Sequence, residues 1–372
     1  MIENPKTLPV GESRSQARIL GVGTALPPYV IGQAEARELV RELFRDLPQV
    51  DRLIAIFENT GITKRHLARP PEWYTLERPF PEKNRDWFEA ALKLSLEASR
   101  KALEAAGKTP QDVAGVVFVS TTGIATPSPD AYLVQELGIP LSAMRLPLWG
   151  LGCAGGAAGL ARSADLARLH PDRVILLVAV ELCSLTFIPG DRSKSNIVAT
   201  SLFADGAAAV VLGGDSGSPH DLAPSVSTSF PSVLGGFTRL LPESYGVMGW
   251  DLHPQGLQVR FAQSIPTLVQ QQLPALIAEG LEEYGLFPEE IDLHVLHPGG
   301  AKVLAAYREA LGSSAESLAA SWEVLRECGN MSSPTVLFVL ERLMRSPRQA
   351  GELGLLLALG PGFAAEGVLL RW

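Results

Sequence analysis

The stretch VAGVVFVS, residues 113–120, constrains this chain most strongly, because no residue before its last is polar. It is too short for a free-standing helix and lacks the alternation of a strand with one wet face. It therefore reads as a strand covered on both sides, the usual state of a sheet between helix layers. Strands are also expected over 17–25, 174–180 and 207–212. Between them run helical spacings over 33–45, 50–59, 83–106, 129–137 and 157–169. The longest has Trp87, Ala91, Leu94, Ala98 and Leu103 on its apolar positions, and Gly107 stops it. Such alternation predicts an α/β fold with covered sheets.

From residue 221 the pattern starts over. Strand pieces run up to 261, followed by a helix over 265–284, a strand over 291–296, helices over 301–311, 318–327 and 334–344, and strands over 354–359 and 365–370. The halves also end alike. Phe203-Ala204-Asp205-Gly206 before one apolar strand resembles Phe363-Ala364-Ala365-Glu366-Gly367 before the other. An internal duplication is expected, with halves over 17–214 and 221–372 that share one body because no linker separates them.

With 372 residues, 46% hydrophobic and 19% charged, the chain has the makings of an ordinary folded globule. A net charge of -8 with no Lys/Arg block leaves no electrostatic footprint for nucleic acid. Three cysteines, Cys153, Cys183 and Cys328, include no close pair, which fits neither a disulfide framework nor a zinc site and points to a reducing compartment, the cytoplasm. The first sixteen residues hold no apolar core of a signal peptide. No apolar run approaches the roughly 20 residues of a membrane span.

Several catalytic signatures are absent: there is no G-x-S-x-G and no H-E-x-x-H, and Gly107-Lys108-Thr109 follows Ala102 where a P-loop needs glycine. His294 and His297 face opposite sides if both lie on a strand, so no metal pair is expected. What remains is Gly152-Cys153-Ala154-Gly155-Gly156, a cysteine in a glycine turn that opens a helix. The helix macrodipole there favours thiolate over thiol, although a packing cysteine would fit the same place. His297 stands before Pro298-Gly299-Gly300, and Asn330 lies in Cys328-Gly329-Asn330-Met331-Ser332-Ser333-Pro334.

These three turns, in this order and at these separations, resemble those of the chalcone-synthase-like type III polyketide synthases of the thiolase superfamily. The resemblance extends over most of the chain, through Ser201 to Ala207, Met248-Gly249-Trp250-Asp251 and Gly360-Pro361-Gly362-Phe363. It implies a thiolase-like fold of two similar halves in a five-layer αβαβα body, and a homodimer. It also implies a nucleophilic Cys153 with His297 and Asn330 as partners, no cofactor and no metal, and acyl-CoA starter and malonyl-CoA as substrates. The chemistry suits these residues. A Cys153 thiolate paired with an imidazolium at His297 takes an acyl group from a thioester, and Asn330 and His297 hydrogen-bond the enolate left when malonyl-CoA loses carbon dioxide.

By the same resemblance Phe203 is a gatekeeping aromatic, and Val259 replaces a second gatekeeping phenylalanine of plant members. Thr126 stands where those carry a methionine that reaches the partner subunit. Cys183, Thr186 and Ser332 match cavity positions. The plant CoA-binding cations have no full counterpart, since the aligned positions are Arg52, Ala55 and Asn59 or, one residue on, Leu53, Ile56 and Thr60. Arg52, Lys64, Arg65 and Lys302 are the substitutes expected. Val259, which opens the cavity mouth, and Thr126 together predict a fatty acyl starter and alkylpyrone- or alkylresorcinol-type products. Two other readings remain: an initiating-type 3-oxoacyl-(carrier protein) synthase, and a catalytically inactive thiolase-fold binding subunit.

Overall fold

The structure is a computed structural model that describes residues 16–214 and 230–372. The expected start of the second half at residue 221, and all but the last residue of the expected polar leader, lie outside the described residues.

The first part of the chain runs β1 (Ala17–Ala25), β2 (Tyr29–Gly32), α1 (Gln33–Leu43), α2 (Val50–Ile54), β3 (Lys64–Leu67), α3 (Phe80–Ala105), β4 (Val113–Val119) and α4 (Asp130–Leu137). It continues with β5 (Met144–Leu148), α5 (Gly155–Leu169), β6 (Val174–Leu182), α6 (Lys194–Leu202) and β7 (Asp205–Gly214). The second part holds β8 (Ser232–Leu240), β9 (Met248–His253), β10 (Gly256–Phe261), α7 (Ile265–Glu282), β11 (Leu293–Leu296), α8 (Ala301–Leu311), α9 (Ala319–Cys328), α10 (Thr335–Met344), β12 (Leu353–Gly360) and β13 (Ala364–Arg371).

Nine strands join in the order β11-β12-β13-β8-β1-β7-β6-β4-β5. The seam between the parts is thin, with Ala17 opposite Val233 and Arg18 opposite Ser232. On either side of it the sheet folds over a shared middle layer. Helix α5 packs on β4, β6 and β7 of one part and on β8, β12 and β13 of the other, and α10 likewise touches β1, β7, β11 and β12. Helix α3 covers the outer face of β1, β6 and β7, whereas α7 covers β8 and β13. The result is the expected helix–sheet–helix–sheet–helix body.

Sequence explains the middle layer. A helix squeezed between two sheets has room only for small side chains, and α5 opens with Gly155, Gly156, Ala157, Ala158 and Gly159, all buried. A Cβ on Gly156 would stand 2.1 Å from the Ser333 carbonyl oxygen, so only glycine permits this approach of the two parts. Strand β6 is buried at all nine positions, as its unbroken apolar run requires, and Glu181 within it is the exception in chemistry but not in burial. Among the described residues no helix is long and apolar enough to cross a membrane.

Candidate active site

The turn that carries Cys153 is fixed by backbone geometry. After β5 the chain passes Gly150 at φ 90° and Gly152 at φ 47°, left-handed conformations that favour glycine. A Cβ on Gly152 would also meet the Pro361 ring at 2.8 Å. Residues Gly152–Ala154 then form a 3-10 turn that leads into α5, so Cys153 lies at the mouth of the middle layer with 7% of its surface exposed.

The Asn330 turn reaches it from the other part. Ser332, at φ 59°, donates its hydroxyl to Cys153 Sγ at 3.4 Å. Asn330 Oδ1 accepts the Ser332 N–H at 2.8 Å, and Asn330 Nδ2 donates to the Gly299 carbonyl at 3.1 Å, which ties this turn to the His-Pro-Gly-Gly turn. His297 is held by its own N–H to the Leu357 carbonyl at 2.9 Å, and its ring is buried with neither nitrogen hydrogen-bonded among the described residues. Asn330 is also pinned to the segment around Phe203, because its N–H bonds Leu202 O at 3.0 Å and its carbonyl accepts the Ala204 N–H at 2.8 Å. The three sequence-predicted turns thus converge.

Burial works against the expected thiolate–imidazolium pair. Burial pushes the Cys153 thiol up to about 11; the Ser332 hydroxyl lowers it, Glu181 adds to the rise, and Asn330 lowers it again. Burial holds His297 down to about 3. Both shifts favour the uncharged forms, since a desolvated site penalises charge on either partner. Burial thus favours a neutral thiol and a neutral imidazole before substrate binds.

Glu181 escaped the sequence reading, although an acid inside an otherwise apolar strand was the available signal. Its carboxylate is fully buried and accepts the N–H groups of Thr121 and Thr122, the Thr122 hydroxyl at 2.8 Å and the Ser333 hydroxyl at 2.9 Å. It joins the two parts beside Cys153. Burial raises its pKa to about 7 despite those donors. The folded carboxyl therefore holds its proton more tightly than the unfolded one, near 4.5, so stability falls as pH rises from about 4.5 to 7, by roughly 3 kcal/mol. Replacing Glu181 by Gln, which faces an amide NH2 toward donors, lowers stability throughout but removes this slope. Denaturant unfolding of both proteins at pH 5 and pH 8 measures it; parallel losses in the two proteins would contradict the assignment.

Phe203 stacks on Trp250 at 5.8 Å and leans on Phe261 at 5.6 Å. Together with Cys183, Thr186 and Val259, Phe203 and Trp250 line a cavity of about 70 Å³ that extends under Leu39 and Leu43 of α1. Its wall begins at Cys183, which lies within electrostatic range of Cys153; Cys153 itself is not part of the lining. Ser332 serves the thiol and is not part of this cavity wall either. Thr126 is exposed on the loop after β4, outside the cavity.

Of the expected CoA cations, Arg65 is a correction. It is 4% exposed and donates to the backbone carbonyls of Thr200 and Phe203, the latter at 2.9 Å, and burial lowers it to about 10. A guanidinium spent on the end of α6 braces the backbone at Phe203 from behind and does not reach solvent to meet a phosphate. Arg52 on α2, Lys64 at the start of β3 and Lys302 in the first turn of α8 are exposed. Among the described residues no group of three or more His, Cys, Asp or Glu could hold a metal ion.

Comparison with known proteins fits this geometry. Residues 10–216 match the family model for the N-terminal domain of chalcone and stilbene synthases, and residues 234–372 match that for the C-terminal domain. A putative chalcone synthase of Bacillus subtilis is 40% identical over 363 residues, 96% of this chain and 99% of its own length. The alpha-pyrone synthesis polyketide synthase-like Pks18 of Mycobacterium tuberculosis is 31% identical over 97% of this chain and 93% of its own. The crystal structure of 1,3,6,8-tetrahydroxynaphthalene synthase from Streptomyces coelicolor, a bacterial type III polyketide synthase, superposes with a TM-score of 0.87 at 28% identity, covering 95% of this chain and 99% of the other. The chain belongs to the chalcone and stilbene synthase family, the type III polyketide synthases, which are acyltransferases that form carbon–carbon bonds by Claisen condensation.

Proposed function

We propose that this enzyme loads a fatty acyl group from acyl-CoA onto Cys153 and extends it with malonyl-CoA to alkylpyrone- or alkylresorcinol-type products. The observation that carries the starter class is the apolar cavity beyond Phe203 and Val259, which runs under the α1 residues Leu39 and Leu43 and suits an alkyl chain. The relative named for alpha-pyrone synthesis supports the product class.

Acylation starts from the neutral pair. His297, with a free ring nitrogen, takes the Cys153 proton as sulfur attacks the thioester carbonyl, and returns it to the departing CoA sulfur. A buried imidazole that resists charge is a brief carrier of that proton, not its store. Malonyl-CoA then breaks its bond to the carboxylate and releases carbon dioxide. The electron pair becomes an enolate whose oxygen accepts hydrogen bonds from Asn330 Nδ2 and from His297. The enolate carbon attacks the Cys153 thioester, sulfur leaves, and the lengthened β-keto thioester can reload. Arg52, Lys64 and Lys302 are the exposed cations available to CoA phosphates.

The catalytic unit is a homodimer in this reading. Strand β5 is an open sheet edge with Met144 exposed, and the exposed Ile124, Thr126 and Trp149 stand beside it. The three free cysteines fit a reducing, cytoplasmic location.

A starter panel tests the proposal. Product masses from long-chain and aromatic acyl-CoAs with malonyl-CoA are expected to favour long chains, and Val259→Phe is expected to cut long-chain turnover about tenfold or more by filling the cavity wall. Preference of the wild type for aromatic starters would defeat the fatty-acyl assignment.

A further inference from the structure

Most polar groups around the acyl cavity are already paired. Tyr74 and Ser184 share a hydrogen bond of 2.6 Å, Ser184 is bonded to Asp205 at 2.5 Å, and Tyr74 also accepts from the Arg69 N–H. Lys83, in the first part of α3, is different. It is only 3% exposed, yet its ammonium makes a single hydrogen bond, to the Phe187 carbonyl at 2.6 Å, and forms no ion pair among the described residues. Burial lowers its pKa to about 8, and the acid that counters this, Glu77, is exposed. An ammonium with three donors and one acceptor leaves two N–H groups unmet in a site where water is scarce.

Beside Lys83 lies a second, smaller cavity of about 10 Å³, lined also by Asn84, Thr122, Leu185, Thr186 and Leu257. It has room for one oxygen-sized group. The other polar atoms of its wall are engaged within the protein: Asn84 bonds the backbone of Ile124 in both directions, Thr122 bonds Glu181 and the Leu182 N–H, and Thr186 donates to the Cys183 carbonyl. Thr186 also lines the acyl cavity, so the two spaces adjoin at this side chain. The β9–β10 hairpin closes the far side through Gly256 and Leu257.

We infer that Lys83 is a specificity-determining residue that grips a keto oxygen of the growing β-polyketo chain, with Thr186 as the shared wall between alkyl chain and oxygen. The ligand class is a 3-oxoacyl thioester, as opposed to the plain acyl thioester of the starter. This rests on the proposed polyketide extension. A hydrogen bond to a buried charge distinguishes the two by about tenfold or more. The grip favours intermediates that have already been extended, and so further condensation over early release.

The test compares two primers of equal chain length, an acyl-CoA and the matching 3-oxoacyl-CoA, each with malonyl-CoA. In Lys83→Met the ratio of the 3-oxoacyl KM to the acyl KM is expected to rise about tenfold or more over wild type, and products to shift toward fewer condensations; Lys83→Arg restores both. A role confined to bracing the Phe187 loop would move both KM values together. Should Lys83→Met fail to fold, Lys83→Gln keeps a donor for Phe187 and loses the charge, and carries the same comparison. An unchanged ratio and product distribution in a folded variant overturns the inference alone, whereas a wild type that extends neither primer overturns the proposed function.

Discussion

Cys153→Ala is expected to lower polyketide formation by on the order of 10⁴-fold or more, the scale seen when a covalent nucleophile is removed. Alanine fits the site without strain, since the turn is set by Gly150, Gly152 and the packing of Pro361 and not by the thiol. Folding therefore stays intact, and the loss is chemical. No acyl-enzyme forms, so intact-mass measurement after incubation with acyl-CoA shows no adduct. Malonyl-CoA decarboxylation continues in the same variant, because the Asn330 and His297 donors act on the malonyl thioester carbonyl, which stays bonded to the CoA sulfur and is never transferred to Cys153 before carbon dioxide leaves. Carbon dioxide release uncoupled from product is thus the signature to look for. Cys183→Ala and Cys328→Ala retain the adduct, as among the described residues neither thiol receives a hydrogen bond of the kind that Ser332 gives Cys153. Product formation at the wild-type rate in Cys153→Ala would remove the cysteine from the mechanism altogether.

How much of this was legible in sequence depends on how local the signal is. Strands β4, β6 and β12 and helices α3 and α5 announced themselves through long apolar runs or helical spacing, and their ends moved by only a few residues. The pair β2 and β3, four residues each, is too short to show a period, and it is held by pairing of Tyr29 with Leu67 through Gly32 with Lys64 across an intervening helix pair. Helix α6 has no apolar stripe; Ser193 caps it by accepting the Asn196 N–H. The three turns that meet at Cys153 were visible because each contains glycine, where backbone shape leaves a local mark. Arg65 was misread because its acceptors, the carbonyls of Thr200 and Phe203, lie more than 130 positions away. Nothing local distinguishes an arginine that braces a helix end from one that waits for a phosphate. The same holds for the burial that raises the Cys153 thiol and lowers His297, which no spacing encodes.

Asn330→Asp separates enolate formation from acyl loading. The Asn330 amide is oriented without ambiguity: Oδ1 accepts the Ser332 N–H and one Nδ2 hydrogen goes to the Gly299 carbonyl, leaving the second Nδ2 hydrogen for the reacting oxygen. Aspartate keeps the shape and the Ser332 contact. It loses both donated hydrogens and sets a carboxylate against the Gly299 carbonyl and against the negative charge that grows on the enolate oxygen. Loss of one preorganised donor costs roughly 10²- to 10³-fold, and repulsion adds to it in a site from which water is excluded. Carbon dioxide release from malonyl-CoA is therefore expected to fall by about 10²-fold or more. Acylation of Cys153 falls less, because the proton carrier for that step is His297; the added negative charge acts there only by raising the thiol pKa further, since Asn330 now helps to hold it down. Intact-mass kinetics of the acyl-enzyme and carbon dioxide release, measured on the same preparation, give the two rates. If acylation collapses while decarboxylation keeps more than a tenth of its rate, Asn330 serves the nucleophile, and His297 alone carries the enolate oxygen.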